Sequence, residues 1–211
     1  MTTHTYTKQE EMAHAITHGI GALLSIVGLI VLIDYANLNE NPQKFISVSI
    51  FGFSMLIMYL SSTIVHSLPE GRWKDIFQIF DHSSIYLFIA GTYTPILLVH
   101  LRGEAGLLLF GVVWGIAIAG IIFKLYFVKK FLFLSTVFYI LMGWLIMFVW
   151  EPLTAIMHEN GIQLLMIGGL CYTFGAVFYV WRSFPYHHAV WHLFVIAGST
   201  FHFFTIFYYV L

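Results

Sequence analysis

The chain has 211 residues, of which 60% are hydrophobic and only 9% charged, and its formal net charge is −1. Soluble domains carry about a quarter charged residues, so an ordinary soluble domain is excluded, and a near-neutral chain offers no electrostatic footprint for nucleic acid. The single cysteine, Cys171, has no partner for an intramolecular disulfide and reads as a small packing residue.

The first segment, MTTHTYTKQEEMAH, is polar and acidic and lacks the basic start and short apolar core of a cleaved signal. The first helix is therefore expected to act as an uncleaved insertion signal. Beyond it, stretches free of Asp, Glu, Lys and Arg cover Met12–Ile33, Phe45–Pro69, His82–Leu101, Ala105–Phe123, Phe131–Trp150, Asn160–Trp181 and Ser183–Leu211. Each is close to the roughly 20 residues that a helix needs to cross the hydrocarbon core. Strands of a membrane barrel are half that length and alternate in polarity, which these windows do not. The prediction is an all-α integral membrane bundle of seven transmembrane helices, over about 12–33, 45–67, 82–101, 105–123, 131–150, 160–181 and 186–210, in a single domain spanning 1–211.

Seven spans put the termini on opposite sides. Lys8, Arg72, Lys74, Lys124, Lys129, Lys130 and Arg182 fall on the N-terminal side, against Lys44 and Arg102 on the other, while the acidic residues divide evenly. The positive-inside rule then places the N-terminus in the cytoplasm and the C-terminus outside. A seven-helix G-protein-coupled receptor has the reverse orientation. A rhodopsin-like protein needs a lysine in the seventh window, where there is none.

The same parity brings polar residues together. Helix 1 begins with Glu11, His14 and His18; helix 2 ends with Ser62 and His66; helix 3 is expected to begin at Asp81; and helix 7 begins with His188 and His192. All lie at one membrane level. Singly, each has an ordinary explanation: Asp suits a helix N-cap, Ser bonds a carbonyl in its own preceding turn, and His is common at an interface. Jointly, ionisable groups within membrane spans are costly without partners. His188 and His192 are four residues apart and share a helix face, and with a third imidazole they make a three-nitrogen set suited to zinc with one position open for water. His202 lies roughly 15 Å deeper at 1.5 Å per residue and reads as an interhelical hydrogen-bonding residue. His187, about 100° around the helix from His188, reads as interfacial, and Pro185 as the mark of helix 7's first turn.

EEMAHAITHGIGALLS, SSTIVHS, FDHSSIYLFIAGTYTP and HHAVWHLFVIAGSTFHFF stand in an order that resembles the progestin and adipoQ receptor superfamily, specifically its bacterial hemolysin III branch. The resemblance runs from helix 1 to helix 7. It implies zinc held by His66, His188 and His192, with Asp81 beside the water in the open position, Ser62 adjacent, and Glu11, His14 and His18 as supporting or gating groups. His14 is a departure, since the resemblance leads one to expect asparagine there. The activity implied is that of a zinc-dependent, ceramidase-like hydrolase acting on a lipid-like amide or ester, with a role in membrane lipid homeostasis. Two alternatives stay open: a receptor or sensor with structural zinc, and a membrane-permeabilising (cytolytic) or transport protein. The partners expected are the lipid bilayer of the cell membrane and a lipid-like substrate or ligand.

Overall fold

A computed structural model of the chain describes residues 6–38 and 41–211. The first five residues, part of the polar start considered above, lie outside that range. Seven helices long and apolar enough to span a membrane follow one another: α1 (Lys8–Leu38), α2 (Pro42–Ser67), α3 (Arg72–His100), α4 (Glu104–Phe127), α5 (Leu132–Ile156), α6 (Glu159–Val180) and α7 (His187–Tyr209). No strand occurs among the described residues. Leu23, Leu108 and Phe148 are among many large apolar side chains left fully outward, a surface that suits hydrocarbon and not water.

The helix starts follow from local chemistry. Thr7 and Glu10 form a reciprocal capping box: the Thr7 N–H donates to Glu10 Oε2 at 2.9 Å, and the Glu10 N–H donates to Thr7 Oγ1 at 3.2 Å. Asn41 caps α2 by accepting the N–H groups of Gln43 and Lys44, with Pro42 in the first turn.

The third helix differs from expectation. It begins at Arg72, nearly three turns at about 3.6 residues per turn before its charge-free window opens at His82, so Asp81 lies inside the helix and not at its start. A charge-free window marks the hydrocarbon crossing, whereas a helix satisfies its own backbone wherever it runs and can project beyond. The N-cap explanation for Asp81 is thereby excluded. The same effect extends α1 to Leu38 and α5 to Ile156.

α3 is the most enclosed span, with Tyr86, Ala90, Thr94 and Leu97 buried along it. It packs between α2 and α4, while α7 packs against α1 and α6. Two irregularities have identifiable causes. After Pro95, which has no N–H to donate, the ladder widens to an i→i+5 bond from the Leu101 N–H to Ile96 O at 2.8 Å. In α5, the Tyr93 hydroxyl lies against the Met142 and Gly143 carbonyls and accepts the Ile146 N–H at 2.9 Å. A side chain inserted into the ladder accounts for the 3₁₀ stretch Trp144–Val149.

Close approach of α2 and α3 depends on Gly91. A Cβ there would meet Ser54 Oγ, with Ser54 Cβ at 2.8 Å and the Ile50 carbonyl at 3.3 Å. Gly91→Val should therefore cost about 1–3 kcal/mol through overpacking. Gly115→Val, where nothing lies within 4 Å, should be close to neutral. Thermal unfolding of the two detergent-solubilised variants checks the difference; equal midpoints would refute the packing role.

Candidate metal centre

At the N-terminal end of the bundle three histidine rings from two distant parts of the chain converge. His66 is near the end of α2, and His188 and His192 occupy the first two turns of α7. Their ring centroids lie 5.2 Å (His66–His188), 5.4 Å (His66–His192) and 4.6 Å (His188–His192) apart. One ligand atom from each of the three lies within 4.8 Å of the others.

Hydrogen bonds set the tautomer of two of these rings. The Thr17 hydroxyl donates within its own helix, to the Ala13 and His14 carbonyls at 2.8 and 2.9 Å. Its proton being committed there, Thr17 Oγ1 accepts from His192 Nδ1 at 3.0 Å, and the His14 carbonyl accepts from the same nitrogen at 3.2 Å. His192 Nδ1 therefore carries the hydrogen, and its Nε2 lone pair is available. His66 Nδ1 stands 2.6 Å from Glu11 Oε2, and an ionised carboxylate can only accept, so Nε2 is again the free nitrogen. This is the outer-partner arrangement that orients metal-ligating histidines. His188 Nδ1 is buried and makes no hydrogen bond with the described residues. A buried imidazole nitrogen without a partner is costly, and a cation would offset that cost. The donor set thus fits a borderline ion such as zinc.

α1 supplies the surroundings. Its capped start is tied to α7 through Glu10, whose Oε1 accepts the Tyr186 N–H at 3.1 Å. That tie puts the His14–His18 face of α1 against the rings. His18 stacks on His192, with centroids 3.4 Å apart and planes 10° from parallel. His14 is fully buried and sits edge-on to His66 and His188, 4.8 Å from each. Neither ring nitrogen of His14 or His18 has a hydrogen-bond partner among the described residues. Glu11 is held twice, since its other oxygen accepts from Lys74 Nζ at 2.6 Å.

Ser62, Asp81, His18, His188 and His192 all border one cavity of about 140 Å³ between α3, α5, α6 and α7. It descends past Tyr93 and Trp144 to His202, with walls chiefly of apolar and aromatic side chains. Asp81 is largely buried; its Oδ2 lies 3.2 Å from His82 Nδ1. His202 Nε2 donates to the Leu165 carbonyl at 3.1 Å, bridging α7 to α6, in keeping with the interhelical role expected of it.

His187 is not interfacial. It is 1% exposed, and its Nδ1 donates to the Phe178 carbonyl at 3.0 Å. The short turn between α6 and α7, with Tyr186 in a left-handed conformation at φ 60°, folds this side of α7 onto the end of α6. Pro185 precedes the helix instead of entering its first turn. Thr17, Lys74 and Tyr6 escaped sequence reasoning. Thr17 shares the His14 face of α1 at i+3, a spacing that could have found it. Lys74 had counted only toward topology. The Tyr6 ring covers the cluster, 4.7 Å from His14 and 5.4 Å from His188; burial raises its phenol to about 12, so it stays neutral there.

A family model described as "Haemolysin-III related" matches residues 6–203. Over 204 residues the chain is 49% identical to "Hemolysin-3 homolog" of Bacillus subtilis (strain 168), covering 97% of this chain and 96% of that one. It is 47% identical over 211 residues to "Hemolysin-3" of Bacillus cereus, covering 100% and 96%. A weaker similarity, 29% over 203 residues and covering 93% and 83%, links it to "Monocyte to macrophage differentiation factor" of Homo sapiens, in line with the wider progestin and adipoQ receptor superfamily. Seven membrane-spanning helices and a match along nearly the whole length lead to one conclusion: the chain is a multi-pass membrane protein that belongs to the haemolysin-III related family.

Proposed function

We propose that the protein is a zinc-dependent membrane hydrolase acting on a lipid-like amide or ester. One observation carries this reading: His188 and His192 of the three-histidine set border the same largely apolar, intramembrane cavity as the Asp81 carboxylate. His66, His188 and His192 would hold the ion. Zinc, when bound, supplies a Lewis acid for a carbonyl and brings the pKa of a water to about 7. Asp81, in the same cavity, orients the attacking water and accepts its proton. Ser62, on the α2 face one turn before His66, positions that water or the substrate carbonyl oxygen. The apolar walls toward His202 hold a hydrocarbon chain and exclude other water. By the distribution of Lys and Arg, this end of the bundle faces the cytoplasm.

The test is hydrolysis of short fluorogenic amide and ester lipids by the purified protein in liposomes. Activity should disappear with a membrane-permeant chelator and return with added zinc. Turnover insensitive to chelation, or none on either bond type with zinc bound, would count against the proposal. The latter outcome would favour a sensor in which zinc only joins α2 to α7.

A further inference from the structure

The three-histidine set leaves a buried imidazole unexplained. His14 is fully buried, and neither of its ring nitrogens has a hydrogen-bond partner among the described residues. Uncharged or not, an imidazole in that position is expensive without something to bond. A carboxylate stands close to it, Glu11, one turn earlier on the same face of α1: His14 Nδ1 is 4.0 Å from Glu11 Oε2. The same carboxylate oxygen is 2.6 Å from His66 Nδ1. A ligand atom from each of Glu11, His14 and His66 lies within 4.8 Å of the other two.

We propose that Glu11, His14 and His66 form a second divalent-cation subsite beside the three-histidine centre, with His66 shared between the two. Two imidazole nitrogens and one carboxylate oxygen suit a borderline transition ion such as Zn²⁺; Mg²⁺ and Ca²⁺ prefer oxygen alone. The two nitrogens of His66 divide between the sites: Nε2 toward His188 and His192, and Nδ1 toward Glu11. Filling the second subsite displaces the one hydrogen now between His66 Nδ1 and Glu11, which leaves as a proton as the cation binds. No redox change is involved.

Lys74 makes this the weaker of the two sites. Its ammonium lies 2.6 Å from Glu11 Oε1 and 2.9 Å from Glu70, so it neutralises the carboxylate and repels an incoming cation. The inference rests on the three-histidine reading because His66 serves both sites, and the variants below separate the two.

The experiment is a titration of the purified full-length protein in detergent with Zn²⁺ against a competing chromogenic chelator, repeated with Co²⁺ and read by visible absorbance. Wild type should take up two equivalents, one tight and one weaker. His14→Asn should keep the tight equivalent and weaken the other by about tenfold or more, the scale on which single groups around a metal act. Lys74→Gln should leave the tight equivalent alone and tighten the second several-fold. His188→Ala should lose the tight one. A tight equivalent alone in wild type, or a second step unchanged in both His14→Asn and Lys74→Gln, overturns the second subsite. Should His14→Asn fail to fold, the Lys74→Gln titration decides alone. Loss of the second step in His14→Asn without any tight step in wild type would instead sink the three-histidine centre.

Discussion

His192→Ala is expected to deprive the protein of its tightly held metal. Structural zinc in peptides contributes about 10–16 kcal/mol over four ligands, so one ligand corresponds to about 3 kcal/mol, or on the order of a hundredfold in affinity. His192 should reach that figure because its ring is already oriented: the Thr17 hydroxyl and the His14 carbonyl both hold Nδ1. No rotamer search is left for the cation to impose. Thr17→Val, which removes one of those acceptors and keeps every ligand, should cost less, roughly tenfold. His202→Ala is the control. It removes an imidazole from the same helix and the same cavity, but one committed to the Leu165 carbonyl, and it should leave metal affinity unchanged. Metal analysis of the purified variants reads the outcome. Zinc should also raise the thermal midpoint of wild type and His202→Ala but not of His192→Ala, since only a ligand that binds the native state stabilises it. Equal zinc content in His192→Ala and wild type would sink the three-histidine centre.

How much of this arrangement the sequence discloses differs between depth and direction. Charge-free windows locate seven crossings because a charge in hydrocarbon is costly anywhere in a span, and parity then assigns His66, His188 and His192 to one level without knowledge of packing. Azimuth is a different matter. Whether Thr17 or Ile16 faces α7, or whether Lys74 reaches Glu11, depends on helix rotations set by tertiary contacts such as the Glu10–Tyr186 tie. His187 illustrates the difference: helical geometry gives its angle from His188, but not that α6 fills the space on that side. Helix ends were legible only where residues change character. Pro42 and Asn41 signal the start of α2, whereas Arg72–Phe80 carries charge and aromatics without breaking the helix and gives no hydropathy sign of being helical. The break in α5 has only Gly143 as a local signal, because its cause, the Tyr93 hydroxyl, comes from α3.

Asp81→Asn distinguishes a metal that performs chemistry from one that only fastens the bundle. The substitution keeps the shape of the side chain and removes its charge and its capacity to take a proton. Asp81 contributes to neither candidate ligand set, so zinc content and thermal midpoint should stay near wild type. If the carboxylate serves as general base, turnover should fall by about 10²–10⁴-fold. The cavity favours that division of labour. Asp81, Ser62, His188 and His192 border it, and its walls are otherwise mostly apolar and aromatic, as a hydrocarbon chain with one reactive linkage requires. Ser62→Ala, which leaves the base in place, should lose less than Asp81→Asn. A fastening metal predicts the opposite pattern: Asp81→Asn would behave as wild type in every assay, and only loss of a histidine would matter, through unfolding. The contrast is sharp because His82 Nδ1, 3.2 Å from Asp81 Oδ2, gives its hydrogen to the Gln78 carbonyl at 2.9 Å, so an asparagine of the same shape breaks no bond to that ring and the lost charge is what the measurement reports.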